Sequence, residues 1–540
     1  MKTSFQNEFT YRHFVEEGKE QEFDELFDAA VDDVKKNLLG KRFPMYIGGS
    51  EVTAGEELEE HSPIDNSLIG SFQKGTRQHA QQAIDAAYAA FESWSSLNYK
   101  ERIEIFRKVA EVFRREKFRV AAVLSIENGK NRYESVGEVD EAIDFLNYYC
   151  LEYEKNKGYV RKEKLEASSA KVSAGFQGAP GNEEKITIAM KPYGVFGVIA
   201  PFNFPISISV GMSTGALLTG NTVVFKPSST DNMSMLTGLE IYKIFSEAGV
   251  PNGVFNYITG PGSEVGDELV INKKVSGIVF TGSHAVGMGM MKKVYDLGLQ
   301  KVFVVEMGGK NPAIVSKYAD LDAAAEGVAS AAFGFDGQKC SACSRVYVQE
   351  SVKDKFVEKL VEKMKSFAIG DPLKKEIYMG PLISQTAFEK YEKAVEEARA
   401  TGRIIYGGNR VNLPLNGIYV EPTLVEVSQG SRLMKEELFV PILSLDTFKT
   451  FDEALEKAND TEYGLTAGLY SKKRSEIRAF ISRMQAGVLY VNRPTSATTG
   501  AIVGKHTFVG WKGSGATGKG TGSRFYLQQF LREQSEAIVG

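Results

Sequence analysis

The 540-residue sequence has little of what builds disulfide-stapled or metal-binding proteins. It contains only three cysteines, Cys150, Cys340 and Cys343. Three cysteines are too few for a disulfide framework, and such sparing use is typical of a reducing cytoplasm. The five histidines are scattered along the chain, and none has the spacing of a zinc site. We therefore expect neither disulfides nor a bound metal.

Long apolar runs and an excess of one charge are also missing. No apolar run is long enough to span a bilayer. The 65 basic and 69 acidic residues give a net charge of −4, which argues against a nucleic-acid-binding surface. Residues 1–20 are acidic and resemble neither a secretory signal nor an Arg-rich transit peptide. These absences predict a cytoplasmic protein with no membrane or nucleic-acid partner.

The composition that remains is that of an ordinary globular protein, with 43% hydrophobic and 25% charged residues. A chain of this length exceeds what one core supports, so two or three lobes are expected. Residues 1–40 are acidic and place apolar groups on one side of a predicted helix. The stretch 99–124 has a strong helical period and predicts a packed scaffold helix. Residues 155–190 are rich in Gly, Ser, Ala and Lys, and an exposed turn is predicted at 175–182.

Residues 194–306 alternate between strand and helix patterns, which predicts βαβ units and a parallel sheet. The predicted strands are 195–200, 222–225, 254–258, 278–281 and 302–306. The predicted helices are 206–218, 232–248, 263–271 and 285–297. Asn203, Lys226, Gly260, Ser283 and Glu306 each lie at or just after the end of a predicted strand. Because ligands gather beyond the carboxyl ends of such strands, this placement favours a nucleotide-type ligand. A second α/β lobe is predicted over 311–489.

Cys340 and Glu306 are the strongest candidates for chemistry. Cys340 lies in the run Gly-Gln-Lys-Cys-Ser-Ala, and Glu306 ends an apolar strand-like run thirty-four positions earlier and precedes Met-Gly-Gly-Lys. A thiol and a carboxylate framed by glycines indicate a nucleophile and a base. The alternative for a lone thiol is a buried structural cysteine. A redox pair with Cys343 is less favoured, and Cys343 is expected to be a packing residue.

Two glycine-containing segments are candidates for binding a dinucleotide. The segment 260–266 has three residues before its last glycine, so it fails as a GxGxxG fingerprint, and Gly262 and Gly266 remain candidate cofactor contacts. The run Thr281-Gly282-Ser283 follows a predicted strand and opens a predicted helix. Helix-start N–H groups can receive a phosphate, and Ser283 adds a hydroxyl. The alternative is an ordinary helix cap.

These motifs, over residues 43–530, resemble the aldehyde dehydrogenase superfamily. The resemblance implies an α/β fold with a Rossmann-type cofactor domain, an α/β catalytic domain and a small β oligomerisation arm. It also implies a homo-oligomer, a dimer or larger. The expected domain boundaries are 1–40 for the helical extension, 41–154 and 191–306 for the cofactor-binding domain, 155–190 and 515–540 for the arm, and 307–514 for the catalytic domain.

The resemblance also implies a covalent mechanism. The Cys340 thiolate attacks the aldehyde carbon, and the side-chain amide of Asn203 with the Cys340 N–H stabilises the oxyanion. Hydride passes to the nicotinamide and leaves a thioester. Glu306 activates the water that releases the acid. Phe204, next to Asn203, is a candidate substrate contact.

Further cofactor contacts follow from the same resemblance. Lys226 corresponds to the lysine that binds the adenosine ribose, and Thr281, Gly282 and Ser283 to the pyrophosphate site. Glu437, followed by Phe439 in a segment that resembles EExFGP, corresponds to the residue that holds the nicotinamide ribose. Ser229 stands where many NAD-preferring members have Glu, which leaves NAD and NADP both open.

Within the superfamily the chain most resembles the 1-pyrroline-5-carboxylate dehydrogenase branch. Ser341, Gly500 and Ala501 match the residues that hold the α-carboxylate of L-glutamate-γ-semialdehyde, and backbone N–H groups in such a turn can bind an anion. The resemblance implies oxidation of that aldehyde to L-glutamate, a step of proline degradation. Two departures lie near the expected substrate mouth: residues 494–498 are extra, and 505–510 replace a QPFGG-like stretch.

Other functions remain open at this point. One is an aldehyde dehydrogenase for a different semialdehyde or an aromatic aldehyde. More remote are a non-catalytic binding protein on the same scaffold and a kinase-like nucleotide-binding module. The kinase-like module is disfavoured because no GxxxxGK[ST] motif is present.

Overall fold

The computed structural model describes residues 5–165 and 184–539. The α-helices are α1 (Thr10–Glu16), α2 (Glu20–Asn37), α3 (Arg77–Ser96), α4 (Tyr99–Arg115), α5 (Lys117–Asn128), α6 (Arg132–Lys155), α7 (Ser207–Leu218), α8 (Met235–Glu247), α9 (Asp267–Ile271), α10 (His284–Asp296), α11 (Leu321–Phe333), α12 (Lys353–Lys365), α13 (Gln385–Thr401), α14 (Phe451–Asn459) and α15 (Arg474–Arg483). No helix within this part of the chain has the length and apolar character needed to cross a membrane.

The strands belong to two large sheets and several small ones. They are β1 (Lys41–Phe43), β2 (Met45–Ile47), β3 (Ser50–Val52), β4 (Glu57–His61), β5 (Leu68–Gln73), β6 (Val160–Leu165), β7 (Glu184–Pro192), β8 (Val195–Ile199), β9 (Thr222–Lys226), β10 (Phe255–Tyr257), β11 (Val275–Thr281), β12 (Val302–Glu306), β13 (Asn311–Val315), β14 (Cys343–Gln349), β15 (Arg403–Tyr406), β16 (Arg410–Val411), β17 (Tyr419–Val420), β18 (Thr423–Glu426), β19 (Ile442–Phe448), β20 (Tyr463–Gly464), β21 (Thr466–Tyr470), β22 (Val488–Val491), β23 (Trp511–Lys512) and β24 (Leu531–Val539).

The first large sheet has the strand order β12-β11-β8-β9-β10-β2-β3. Strands β8 to β12 run parallel to one another, whereas β2 and β3 pair antiparallel at the edge. Every residue of β9 is buried, as expected for a parallel strand that is covered on both faces. The predicted alternation of strands and helices over 194–306 is confirmed. The strand order reverses between β8 and β11, which creates a crevice at their carboxyl ends.

Two predicted helices differ from the observed ones. The helical pattern of 99–124 is divided into α4 and α5 by a bend at Glu116. After this bend α5 is buried on nearly all sides, while α4 keeps one exposed face. The helix predicted at 263–271 begins as a wide turn over Gly262–Gly266 and becomes α-helical only in α9. Its two glycines have low helix propensity, which accounts for the irregular start.

The N-terminal helices pack on the first lobe. Phe23, Phe27, Val31 and Val34 of α2 are buried, and they belong to the same apolar core as α5 and α6. The apolar face predicted from the sequence is therefore the buried one.

The second large sheet has the order β15-β18-β19-β14-β13-β21-β22, and only β15 runs antiparallel to its neighbour. The α/β lobe predicted over 311–489 is thereby confirmed. A separate antiparallel sheet joins β24, β7 and β6. The exposed turn predicted at 175–182 lies outside the described residues.

The two large sheets meet where β12 ends. Glu306 closes β12, and after four residues Asn311 opens β13 in the second sheet. The backbone of Asn311 is paired with that of Cys343 at the start of β14. The carboxyl edge of the first sheet therefore faces the amino edge of the second, and Cys340 lies in the turn just before β14.

Candidate active site

Cys340 lies in a turn whose backbone is tightly constrained. Phe335, Asp336 and Gly337 have φ values of 49°, 55° and 67° in succession, a left-handed run that turns the chain sharply. The Cys340 carbonyl accepts a hydrogen bond of 2.8 Å from Asn311 Nδ2. A Cβ added at Gly309 would lie 2.4 Å from that carbonyl oxygen, so only glycine permits this approach. The backbone of Cys340 is thus held by Asn311 and by its close approach to Gly309.

The surroundings of the Cys340 thiol raise its pKa. Burial, and then the carboxylates of Glu437 and Glu306, raise the pKa of Cys340 above its ordinary value. The N–H of Ser341 acts in the opposite direction. The thiolate is the nucleophilic form of cysteine, so loss of the proton is a required step of any reaction here.

Glu306 is a partly buried carboxyl at the end of β12. Its Oε2 accepts a hydrogen bond of 3.0 Å from the N–H of Gly510, which belongs to the segment that replaces the QPFGG-like stretch. Burial raises the pKa of Glu306 well above its ordinary value. A carboxylate with a raised pKa accepts a proton near neutral pH, as a general base requires.

Asn203 reaches the loop that carries Cys340. Its Nδ2 donates a hydrogen bond of 3.0 Å to the carbonyl of Gln338, two residues before Cys340. Its own carbonyl accepts a hydrogen bond of 2.7 Å from Lys130 Nζ. The Lys130 ammonium also lies 3.7 Å from the ring centroid of Phe204. The structure therefore brings Asn203 and Cys340 together, with Phe204 on the adjoining wall.

The residues that support Asn203 and Cys340 were missed from the sequence. Lys130 and Glu138 form an ion pair whose two side chains are completely buried. Glu138 also accepts hydrogen bonds of 2.8 and 3.2 Å from the N–H groups of Ile206 and Ser207 at the start of α7. Asn311, which binds the Cys340 carbonyl, directly follows the Met-Gly-Gly-Lys run, but no role was predicted for it from the sequence. Only tertiary contacts reveal these functions.

The crevice between β8 and β11 is lined by the segment after β11. Thr281 ends that strand and Gly282 follows it. Ser283 caps α10 by accepting a hydrogen bond of 3.4 Å from the N–H of Val286. A helix N-terminus of this kind presents free N–H groups and a partial positive charge to an anion.

The opposite side of the crevice has a buried lysine and two open glycines. Lys226 ends β9 and donates a hydrogen bond of 3.2 Å to the Pro227 carbonyl, and burial lowers its pKa to about 8. Ser229 is buried and donates to the same carbonyl at 3.0 Å. A Cβ added at Gly262 or Gly266 would meet nothing within 4 Å. Over the described residues Lys226 has no carboxylate partner, so its ammonium fits the hydroxyl groups of a ligand.

Glu437 lies between this crevice and the Cys340 turn. Its Oε1 accepts a hydrogen bond of 2.9 Å from the N–H of Gly309, and burial raises its pKa to about 7. A Cβ at Gly308 would lie 2.4 Å from Glu437 Oε2. Phe439, two residues on, has a φ of 62°, unusual for a bulky residue, and its ring centroid lies 5.9 Å from that of Phe202. Such strain is commonly found at ligand-binding sites.

The turn predicted to bind the substrate carboxylate is held by Arg493. Its guanidinium donates to the carbonyls of Thr499 at 3.0 Å and Gly500 at 2.8 Å. Gly500 has a φ of 80°, which favours glycine. Over residues 5–165 and 184–539, no protein group accepts a hydrogen bond from the N–H of Gly500 or Ala501. Both N–H groups are therefore available to an anion.

Of the extra residues 494–498, the last three are buried, whereas Pro494 and Thr495 are exposed. Ala497 N–H donates to the carbonyl of Gly327 at 2.8 Å. The hydroxyl of Thr498, which is fully buried, donates to the carbonyl of Ser341 at 2.7 Å. The extra segment thus connects the turn to the residue that follows the nucleophile.

Comparison with known proteins identifies the family. The aldehyde dehydrogenase family model matches residues 51–535. The chain belongs to the aldehyde dehydrogenase family. It is 38% identical over 504 residues to 1-pyrroline-5-carboxylate dehydrogenase 1 of Halalkalibacterium halodurans, covering 92% of this chain and 93% of that one. It is 35% identical to a 1-pyrroline-5-carboxylate dehydrogenase of Bacillus licheniformis, covering 97% of each chain.

The aldehyde dehydrogenase fold is matched over the whole chain. The 1-pyrroline-5-carboxylate dehydrogenase from Thermus with bound NAD superimposes with a TM-score of 0.89, at 34% identity and with 100% of both chains covered. The predicted superfamily and α/β fold are therefore confirmed, and the chain is an NAD(P)-dependent aldehyde dehydrogenase. Among the described residues there is no group of three His, Cys, Asp or Glu side chains that could hold a metal ion.

Proposed function

We propose that this aldehyde dehydrogenase oxidises L-glutamate-γ-semialdehyde, which is also supplied as 1-pyrroline-5-carboxylate, to L-glutamate. The observation that carries the proposal is the pair of unpartnered N–H groups at Gly500 and Ala501. They belong to the turn that Thr498 joins to Ser341, directly after the nucleophile. Backbone N–H groups in such a turn suit a carboxylate. The two relatives and the Thermus protein named above bear the name of this activity.

The protein groups supply nucleophile, oxyanion donor and base. Cys340 Sγ attacks the aldehyde carbon after losing its proton, and the carbonyl oxygen receives hydrogen bonds from Asn203 Nδ2 and the Cys340 N–H. Asn203 Nδ2 already lies at the nucleophile loop, on Gln338. Glu306 then takes a proton from the water that attacks the thioester carbon, and the acid leaves as Cys340 is released.

The residues that would hold the dinucleotide are Lys226, Thr281, Gly282, Ser283 and Glu437. Gly262 and Gly266 would leave space for its phosphates. Phe439 lies two residues after Glu437. When bound, NAD or NADP accepts the hydride that leaves the substrate carbon. The Ser229 hydroxyl is turned onto the Pro227 carbonyl and places no carboxylate in the crevice. We therefore propose that both cofactors are accepted.

We propose Glu141 of α6 as the group that receives the α-ammonium group of the substrate. Burial raises the pKa of Glu141 to about 7. Burial, and to a smaller degree the Glu141 carboxylate, raise the pKa of Tyr490. The guanidinium of Arg493, which holds the Gly500 turn, lies 4.8 Å from the Tyr490 ring centroid. The α-carboxylate and the α-ammonium group of the substrate share one carbon, so the N–H donors of the Gly500 turn and the Glu141 carboxylate would both act at that end of the molecule.

Assembly into a homo-oligomer belongs to the same proposal, as do the domain boundaries expected from the sequence. Strands β6, β7 and β24 form an antiparallel arm in which Val160 and Ile538 are exposed. Helix α10 exposes Val286, Met288 and Tyr295, the last by 84%. Exposed apolar side chains of this kind favour contact with a second copy of the chain.

We also propose that the protein is located in the cytoplasm, in keeping with its free cysteines.

The substrate is tested by following cofactor reduction with purified protein. L-glutamate-γ-semialdehyde, succinate semialdehyde and benzaldehyde are compared with NAD and with NADP. We expect the highest kcat/KM with L-glutamate-γ-semialdehyde, and no turnover for Cys340→Ala. Cys343→Ala is the matched control, because Cys343 is buried at the start of β14 and its thiol faces the Arg345 carbonyl. A higher kcat/KM with either of the other aldehydes would refute the proposed substrate.

A further inference from the structure

The N-terminal segment ahead of α1 lies against the substrate turn. The ring centroid of Phe5 is 5.1 Å from that of Tyr148 on α6. A Cβ added at Gly504 would lie 2.8 Å from Tyr148 and 3.1 Å from Phe5. The beginning of the chain is therefore packed on the loop that follows Gly500 and Ala501.

One side-chain amide joins this segment to both the loop and helix α6. Asn7 Nδ2 donates to Asp144 Oδ2 at 2.8 Å and to the carbonyl of Val503 at 2.9 Å. The N–H of Glu8 donates to the other oxygen of Asp144 at 2.9 Å. Val503 is buried and lies two residues after Ala501. Asn7 thus fixes the backbone of the loop to a helix of the first lobe.

The turn is held on its other side by separate contacts. Arg493 binds the carbonyls of Thr499 and Gly500, and the N–H of Ile502 donates to His506 Nδ1 at 3.0 Å. The N–H groups of Gly500 and Ala501 therefore belong to a turn that Arg493 holds at its start and Asn7 holds at Val503. Donors that are held in place before the ligand arrives bind it more tightly, because less ordering is needed on binding.

We propose that Asn7 is a positioning residue for the turn that binds the substrate α-carboxylate. This inference rests on the proposed function. Asn7 acts through the Val503 carbonyl, and it touches neither Cys340 nor Glu306. Without its two donated hydrogen bonds the turn can move away from α6. Binding of a substrate with an α-carboxylate then weakens, whereas an uncharged aldehyde does not use the turn.

The test compares Asn7→Ala with Thr10→Ala. Thr10 is the first residue of α1, directly after that segment, and it binds the same helix as Asn7. Its hydroxyl and its N–H donate to Asp140 at 2.6 and 2.8 Å, but it does not contact the turn. Steady-state kinetics are measured with L-glutamate-γ-semialdehyde and with propanal at saturating NAD. For Asn7→Ala we expect the KM for L-glutamate-γ-semialdehyde to rise about tenfold with kcat within about twofold of the unsubstituted protein. We expect kcat/KM for propanal to stay unchanged, and Thr10→Ala to leave both substrates unchanged.

Three results would overturn the inference. They are an unchanged KM in Asn7→Ala, an equal loss with both substrates, and the same shift in Thr10→Ala. Asn7→Leu, which keeps about the same side-chain size, removes both donated hydrogen bonds and adds no charge, is interpreted in the same way if Asn7→Ala does not fold. Failure of the unsubstituted protein to oxidise L-glutamate-γ-semialdehyde while it oxidises propanal would instead refute the proposed substrate, and this inference with it.

Discussion

Burial raises the pKa of three ionisable groups near Cys340. The Cys340 thiol, the Glu306 carboxyl and the Glu437 carboxyl all have a pKa above the ordinary value, and in each case burial is the largest cause. Glu306 and Glu437 act directly on the thiol, because negative charge nearby disfavours the thiolate. Protonation of either carboxyl therefore makes the thiol easier to ionise.

The first prediction concerns Glu306 and the pH dependence of stability. Its pKa in the folded protein lies above the ordinary value of 4.5, so the folded state binds the proton more tightly than the unfolded state. The contribution of Glu306 to the free energy of unfolding should therefore be fully present below pH 4.5 and be lost as the pH rises through the raised pKa. Glu306→Gln removes this titration, so its stability should fall less between pH 5 and 8. Thermal melts at a series of pH values measure this.

The exposed carboxylate Glu436 supplies the control for that experiment. Glu436→Gln should follow the pH profile of the unsubstituted protein. If Glu306→Gln loses as much stability between pH 5 and 8 as the unsubstituted protein does, the claim that burial raises the pKa of Glu306 is contradicted.

The second prediction concerns Asn203. Removing one oxyanion donor typically costs about 10²–10³ in kcat. Asn203→Ala should therefore lower kcat by about that factor and change KM little, because the donor is needed mainly when negative charge develops on the oxygen. Rates of cofactor reduction at saturating substrate give this directly. A kcat within about fivefold of the unsubstituted protein would remove Asn203 from the proposed mechanism.

At the residue scale, the sequence indicates candidate groups only where they carry a local pattern, and the roles of those groups stay predictions. Cys340 and Glu306 were proposed because glycine-rich neighbours accompany a thiol and a carboxylate. Lys130 and Asn311 were not proposed, because their roles depend on contacts that are distant in the sequence. Lys130 contacts Asn203, 73 residues away, and Asn311 contacts Cys340, 29 residues away. Such contacts leave no trace in a single sequence.

At the element scale, a buried ion pair links α6, α7 and the segment that carries Asn203. Lys130 Nζ binds the Asn203 carbonyl and pairs with Glu138, and Glu138 caps the start of α7. Burying an ion pair is unfavourable in itself, but removal of one partner leaves an uncompensated charge. The geometry of the oxyanion donor thus depends on the position of two helices.

The third prediction is the effect of Lys130→Met. Glu138 would be left buried without a cation, which typically costs about 3–5 kcal/mol in the free energy of unfolding. Urea denaturation measures the loss. Lys292→Met serves as the control, since Lys292 pairs with Asp296 at an exposed site and such pairs contribute about 0–1 kcal/mol. Equal losses for the two variants would contradict the account of this pair.

Elements with a strong period were predicted well, and their irregular ends were not. The strands of 194–306 were found because strands buried on both faces appear as short apolar runs. The bend at Glu116 and the wide turn at Gly262–Gly266 have no such signal, because both helices continue in nearly the same period.

At the scale of the whole molecule, the active site exists only because two sheets meet. The first sheet supplies Glu306 and the crevice at β8 and β11, and the second supplies Cys340 before β14. The sequence predicted both α/β lobes, but not the way in which the carboxyl edge of one faces the amino edge of the other. That arrangement follows from the short connection between β12 and β13.

The fourth prediction concerns assembly through the arm. Strand β24 pairs with β7 along its full length, from Leu531 to Val539. A chain that ends at Leu531 loses the strand but keeps Tyr526, Leu527 and Phe530, which are buried in the first core. We expect it to fold and to sediment as a smaller species than the full chain. Sedimentation velocity with a circular dichroism spectrum checks this, and an unchanged sedimentation coefficient would contradict the proposed role of the arm.

The most direct measurement is mass spectrometry of Glu306→Gln after mixing with L-glutamate-γ-semialdehyde and NAD. Without the base, the thioester should persist, so we predict a glutamyl adduct that the fragment ions assign to Cys340 and not to Cys343, which lies on the same peptide. A Glu306→Gln protein that turns over normally, or an adduct on Cys343 with none on Cys340, would contradict the account.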